Sequence, residues 1–300
     1  MPLTIWSSAR YTFPLPEGHR FPVAKYAMLR DRVVEQGIVS PGRVLVPAAA
    51  SDSDLRLVHG ADYIARFNEG RLDPLEERQI GFPWSPDLVQ RARRAAGGTI
   101  AAARHALTHG IAMNLAGGTH HAFPDHGEGF CVFNDVAVAI RVLQRDGLIR
   151  RAAVVDLDVH QGNGTNAIFA GDESVYTFSM HGEKNFPFHK VPGTLDVELP
   201  DRTGDEEYLS LLVAALPGVL ATATPDIVFY IAGADPHEGD TRGRLALTFD
   251  GLARRDAYVI SQCREVGIPV AIAIGGGYGK RIEDTVAIHA ETARIAGTFA

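Results

Sequence analysis

Residues 152–160 read Ala152-Ala153-Val154-Val155-Asp156-Leu157-Asp158-Val159-His160. An apolar run flows straight into three ligand-type side chains. In a strand, side chains two apart share a face. Asp156, Asp158 and His160 are therefore expected to point one way, and Leu157 and Val159 the other. Carboxylates clustered at the end of a buried strand are very costly unless their charge is compensated. A divalent cation would remove that cost, so the stretch reads as a metal site at the end of a core strand. The bland alternative is a hydrogen-bonded acidic turn.

Similar strands recur along the chain. Arg43–Val46, Ile111–Leu115, Ala152–Leu157, Ser174–Ser179, Ile227–Ala232 and Val270–Ile274 are short and rich in Val, Ile and Ala. They alternate with the amphipathic stretches Val23–Gln36, Ala61–Phe67, Asp87–Thr108, Asn134–Arg145, Glu206–Leu220, Gly251–Val266 and Ile282–Ala296. Apolar strands without strict alternation are expected when both sheet faces are covered. The reading is an α/β fold with a parallel sheet between helical layers. No repeat, low-complexity tract or convincing linker divides it, so residues 1–300 read as one domain. The polar, Pro-containing segment Arg71–Pro86 is expected to be a surface loop over the site.

The chemistry-bearing residues follow the strands. Gly117-Gly118-Thr119-His120-His121 comes after Leu115, Ser179-Met180-His181 ends another strand, Gly233-Ala234-Asp235 ends the next, and Gly275-Gly276-Gly277-Tyr278 ends the last. In a parallel sheet these ends share one edge, where open α/β proteins place their sites.

Composition narrows the function. With 46% hydrophobic residues and a formal charge of −7, the chain can form a large core. It lacks the basic balance of a phosphate-contacting nucleic acid binder. Two distant cysteines, Cys131 and Cys263, fit a reducing compartment without disulfides. The first 20 residues do not read as a signal peptide. No apolar run reads as long enough to span a bilayer. The expectation is a cytoplasmic protein with neither membrane nor nucleic acid as partner.

Asp158, His160 and Asp235 form an oxygen and nitrogen donor set without thiolate. Three protein ligands leave a position open, as in catalytic zinc sites. Iron(II) or manganese(II) would also be accepted. Asp156 could be a fourth ligand, an orienting partner for a histidine, or an alkali-metal ligand; the orienting role is preferred. One of His120 and His121 would take a proton from water while the other stays charged or donates. Gly275-Gly276-Gly277-Tyr278 lacks the spacing of a phosphate loop. It fits a tight turn aiming the Tyr278 hydroxyl at a developing oxyanion. Phe130 and Phe186 read either as walls of a narrow apolar channel or as core. Cys131 reads as a small buried hydrophobe. His59, His105, His109, His126, His189 and His289 read as structural or exposed.

These motifs, together with Gly129-Phe130-Cys131-Val132-Phe133-Asn134-Asp135 and Asp156-Leu157-Asp158-Val159-His160-Gln161-Gly162-Asn163-Gly164, resemble the zinc-dependent histone deacetylase family over roughly residues 15–295. The resemblance is closest to class IV-like and bacterial members. It implies the arginase/deacetylase fold, a single domain with an eight-stranded, mainly parallel sheet. It implies zinc on Asp158, His160 and Asp235, and His121 as the main general base and acid. His120 would be its partner, oriented by Asp156, and Tyr278 would stabilise the oxyanion. Phe130 and Phe186, with Gly129 and Gly276, would line the acyl-lysine tunnel. A structural potassium ion is implied near Asp156, Asp158, His160, Ser179 and Met180.

Two departures stand out. Asn163 occupies the place where several members carry an aspartate paired with the second histidine. The acidic rim residue that holds substrate backbone in the best-known members has no match. The long insertion expected of polyamine-selective relatives is not present either. The implied activity is removal of acetyl or longer acyl groups from lysine in a protein or peptide, or from a small acylated amine. The rivals are an acyl-polyamine deacetylase, a manganese ureohydrolase of similar fold and a catalytically silent acyl-lysine binder.

Overall fold

A computed structural model describes residues 2–300. The strands are β1 (Ile5–Trp6), β2 (Val44–Leu45), β3 (Ile111–Asn114), β4 (Ala152–Asp156), β5 (Val175–Gly182), β6 (Leu195–Leu199), β7 (Ile227–Ala232) and β8 (Val270–Ile274). The helices are α1 (Lys25–Glu35), α2 (Asp52–Leu55), α3 (Ala61–Asn68), α4 (Pro74–Ile80), α5 (Pro86–His109), α6 (Asp135–Arg145), α7 (Asn163–Ile168), α8 (Asp205–Ala223), α9 (Phe249–Glu265) and α10 (Ile282–Thr298). The strands form one 8-stranded sheet in the order β2-β1-β3-β8-β7-β4-β5-β6. Every pairing is parallel. This is the α/β fold expected, parallel throughout rather than mainly so.

Strand periodicity divides the sheet's packing between its two faces. Val155, Val228, Tyr230, Ile272 and Ile274 join Leu29 and Val33 of α1, Leu212 and Leu216 of α8, and buried residues of α9 and α10. Ala152, Val154, Ile227, Phe229 and Ala271 face the other way, into Ala102, Ala106, Ile140 and Leu143 of α5 and α6. Both faces are covered, so the alternating positions are all apolar and the central strands read as continuous runs. The helices begin where the sequence offers caps. Ser85 Oγ accepts from Leu88 N before α5, Asn134 Oδ1 from Ala137 N before α6, and Thr248 Oγ1 from Gly251 N before α9.

Three expectations are corrected. β1 and β6 were not anticipated: β1 has two residues, and β6 carries Asp196 and Glu198 on a partly exposed edge. Arg71–Pro86 is not all loop, because it contains α4. Asp73 and Glu76 form a reciprocal capping box there, with Pro74 at the first helical position. Finally, α8 is long and apolar enough to cross a membrane by length and composition alone. Here Tyr208, Leu209, Leu212, Leu216 and Val219 face the protein interior.

Candidate active site

The ends of β3, β4, β7 and β8 meet near the middle of one sheet edge. β4 stops at Asp156, and residues 158–160 form a bend. Strand alternation therefore does not align Asp156, Asp158 and His160, contrary to the sequence expectation. Local hydrogen bonds shape the bend: Asp158 N donates to Asp156 Oδ1 at 3.2 Å, and His160 N to Asp158 Oδ1 at 2.9 Å. From the end of β7, Asp235 Oδ1 accepts from Val159 N at 2.9 Å. Beneath them the buried Arg255 of α9 donates to the carbonyls of Leu157 and Gly233 at 3.1 and 2.8 Å. One guanidinium thus ties the ends of β4 and β7 together.

Asp158, His160 and Asp235 converge, with one ligand atom of each within 4.8 Å of the others. His160 Nδ1 is 2.9 Å from Asp158 Oδ1 and 3.3 Å from Asp235 Oδ2. Donors roughly 2.1 Å from a tetrahedral zinc ion lie about 3.4 Å apart, so this spacing suits a small cation. Asp235 Oδ2 is buried without a hydrogen bond. Burial and the Asp158 charge push the Asp235 carboxyl up to about 7. Burial lowers the His160 imidazole, but Asp158 and Asp235 together outweigh it and carry it up to about 10. Such concentrated negative charge in a buried pocket is what a bound cation relieves. The donor set fits a divalent metal.

The histidine pair sits on the loop after β3. Gly117 and Gly118 take left-handed conformations, φ 83° and 65°, and a Cβ at Gly118 would overlap the Ile274 carbonyl. The buried Asp135 carboxylate latches the loop. It accepts from Gly118 N at 3.2 Å, and from Thr119 N and Oγ1 at 2.8 and 2.6 Å. Thr99 Oγ1 donates to it as well. Asp135→Ala strands these donors in the interior and is expected to cost about 3 kcal/mol, read as a lower urea midpoint at unchanged m-value.

The two rings diverge into different surroundings. His120 Nδ1 is 2.6 Å from Asp156 Oδ2, and His121 Nδ1 is 2.7 Å from Asn163 Oδ1. Burial lowers His120, yet the Asp156 and Asp158 charges outweigh it and raise it to about 9. Burial holds His121 well below the ordinary imidazole value, and the His120 and His160 charges add to this. At neutral pH one ring is thus cationic and its neighbour neutral.

A cavity of about 500 Å³ opens over these groups, lined among others by His121, His160, Phe130, Phe186 and Tyr278. Gly129 and Phe130 both have positive φ, 57° and 65°. A phenylalanine there is strained, and α4 holds it: Gly129 N and Phe130 N donate to the carbonyls of Gln79 and Ile80 at 3.0 and 2.8 Å. The Phe186 ring meets His121 edge-on with centroids 4.9 Å apart, and Phe130 lies 5.9 Å from the Tyr278 ring. Gly276 lines the cavity and also donates its N–H to Asp158 Oδ2. A Cβ there would overlap Asp235 Oδ2, so no larger residue leaves the carboxylates in place. Tyr278 N donates to Asp240 Oδ2 at 2.6 Å, which anchors the turn. Burial and the charges of Asp235 and Asp158 push its phenol well above the ordinary value, so it keeps its proton.

All the residues singled out for chemistry in the sequence lie at this edge. Ser179 is the register partner of Asp156 across β4 and β5, and Met180 follows it with its side chain in the core. Cys131 is a buried free thiol. His59 is structural: its Nδ1 is 2.9 Å from the Phe123 carbonyl, and its Nε2 accepts from Asn134 N at 3.0 Å. Four residues at or beneath the site carried no functional reading in the sequence. Arg255 and Lys25 sit on helices without any motif; the buried Lys25 Nζ lies 5.4 Å from the Tyr278 ring centroid. Asp135 stands beside the helix cap at Asn134, which could have marked it. Glu128, beside Gly129, gave no local signal.

Known proteins resemble this chain in sequence and fold. The histone deacetylase domain family matches residues 19–293. An uncharacterized protein of Picosynechococcus sp. is 49% identical over 286 residues, which is 95% of each chain. Histone deacetylase 2 of Arabidopsis thaliana is 32% identical over 87% of this chain and 70% of its own length. The crystal structure of a histone deacetylase homologue complexed with SAHA superposes with a TM-score of 0.86 at 24% identity, covering 99% of this chain and 84% of that one. The chain belongs to the histone deacetylase family, and its fold is that of the family's solved members.

Proposed function

We propose that the protein is a zinc-dependent amidohydrolase that removes acetyl or longer acyl groups from the side-chain amine of lysine or a lysine-like amine. One observation carries this reading: Asp158, His160 and Asp235 converge, Asp158 and His160 line a cavity that Phe130 and Phe186 also line, and His121 and Tyr278 line it with them. Zinc, or iron(II) in the cell, held by the three side chains would supply Lewis acidity and lower the pKa of water. His121 takes the water proton and returns one to the departing amine. His120, held cationic by Asp156, adds positive charge where the oxyanion develops, and the Tyr278 hydroxyl donates to it. The aromatic walls strip water from the methylene chain. A structural potassium ion beside Asp156, Ser179 and Met180 belongs to the same reading.

Two arginines of the cavity lining support acyl-lysine over acyl-polyamine. They are Arg78 and Arg242, and a polycation approaching them would be repelled. The ureohydrolase reading needs two metal sets, whereas among the described residues one group of ligands converges. It also leaves Tyr278 without a role.

The deciding assay measures acid release from acetyl-lysine, longer acyl-lysine and acetyl-polyamine substrates by zinc-, iron- or manganese-loaded protein. Hydroxamates of graded linker length are added in parallel. Lysine amides are expected to turn over faster than polyamine amides. Affinity should rise with each buried methylene, by about 0.8 kcal/mol at most, up to a five- or six-carbon linker. A protein that hydrolyses no acyl amide under any metal is not this enzyme.

A further inference from the structure

Asn163 connects His121 to a carboxylate that the mechanism has not used. Its Oδ1 lies 2.7 Å from His121 Nδ1, and its Nδ2 donates to Glu128 Oε1 at 2.6 Å. Glu128 precedes Gly129 on the tunnel loop, is half-buried and lines the cavity. It forms no ion pair among the described residues.

An amide has one accepting and one donating end, and a flip exchanges them. A carboxylate oxygen only accepts, so Glu128 draws the Nδ2 end of Asn163 to itself. Oδ1 must then face His121. An amide oxygen cannot donate, so the proton of the neutral imidazole must sit on Nδ1. That leaves the Nε2 lone pair free. Reversed, the amide would present its NH₂ to Nδ1, drive the proton to Nε2 and leave no basic nitrogen for the substrate side.

We propose that Glu128 is a positioning residue that fixes the orientation of the Asn163 amide and through it the tautomer of His121. It supplies by way of an amide what a directly paired aspartate would supply in one step. The kinetic part rests on His121 being the general base; the tautomer part does not.

The test uses zinc-loaded full-length protein labelled with ¹⁵N-histidine, with acyl-lysine turnover measured alongside. Wild-type His121 should show its proton on Nδ1. Glu128→Ala should shift the population toward the Nε2–H form and lower kcat about 10- to 100-fold with little change in KM, the usual range for a partner that orients a site residue. Glu128→Gln, which keeps an accepting oxygen, should restore most of the Nδ1–H signal and of kcat. In an Asn163→Ala background there is no amide to orient and no second carboxylate beside Glu128, so adding Glu128→Ala should change neither the tautomer nor kcat further. Zinc content and thermal midpoint identify any variant that has simply unfolded. An unchanged tautomer in Glu128→Ala overturns the proposal, as does an equal loss with and without Asn163→Ala. If the tautomer responds as described but no acyl amide is hydrolysed, the positioning role stands and the hydrolase reading fails.

Discussion

Asp158→Ala and His160→Ala are each expected to abolish metal retention and acyl-lysine turnover together. The set offers three protein donors, and two are too few to hold a divalent ion against water at ordinary concentrations. Both residues also shape the bend, because Asp158 Oδ1 accepts from His160 N and Asp158 Oδ2 from Gly276 N. Asp158→Ala should therefore loosen the Gly276 turn as well, whereas His160→Ala removes only the imidazole. The check is metal analysis after dialysis beside acid release from an acetyl-lysine peptide. Full metal occupancy in either variant would assign the three residues to structure alone.

Tyr278→Phe is expected to keep both metal and fold while lowering kcat by about 10²–10³-fold, the loss typical of one oxyanion donor. The variant removes a single oxygen. The turn is held through backbone atoms: Asp240 accepts from Tyr278 N, and the Tyr278 carbonyl accepts from Thr241 N and Oγ1. The ring keeps its place against Phe21 and Phe130. KM should move little, since the hydroxyl is asked to act on charge that appears only in the transition state. Wild-type turnover would leave Tyr278 a packing residue. Loss of metal together with activity would place its effect on the ligand set instead.

The site was more legible than the elements that carry it. Ligand-type residues at the ends of apolar segments had to share an edge once the strands were parallel, and parallel strands followed from their uniform apolarity. β1 and β6 escaped because two residues, or a partly exposed strand carrying acids, produce no buried-strand signal. α4 escaped although its capping box was in plain view, because polar and proline-rich composition outweighed the Asp73–Glu76 spacing.

Sequence by itself determined the strand-and-helix alternation and the sheet edge at which the candidate ligand, histidine and tyrosine groups gather. Those follow from local periodicity and residue type, which need no knowledge of distant contacts. The resemblance already implied Asp156 as the partner of His120; only the tertiary structure decided how the bend after β4 and its supports are built. Alternation put Asp156, Asp158 and His160 on one face, yet β4 ends at Asp156, sending Asp156 to His120 and Asp158 to His160. Arg255 beneath the strand ends, Asp135 behind the histidine loop and Glu128 behind Asn163 lie 98, 17 and 35 residues away from groups they bind. A hydrogen bond depends on ångström-scale distance and direction, and across such separations only the packed fold sets those.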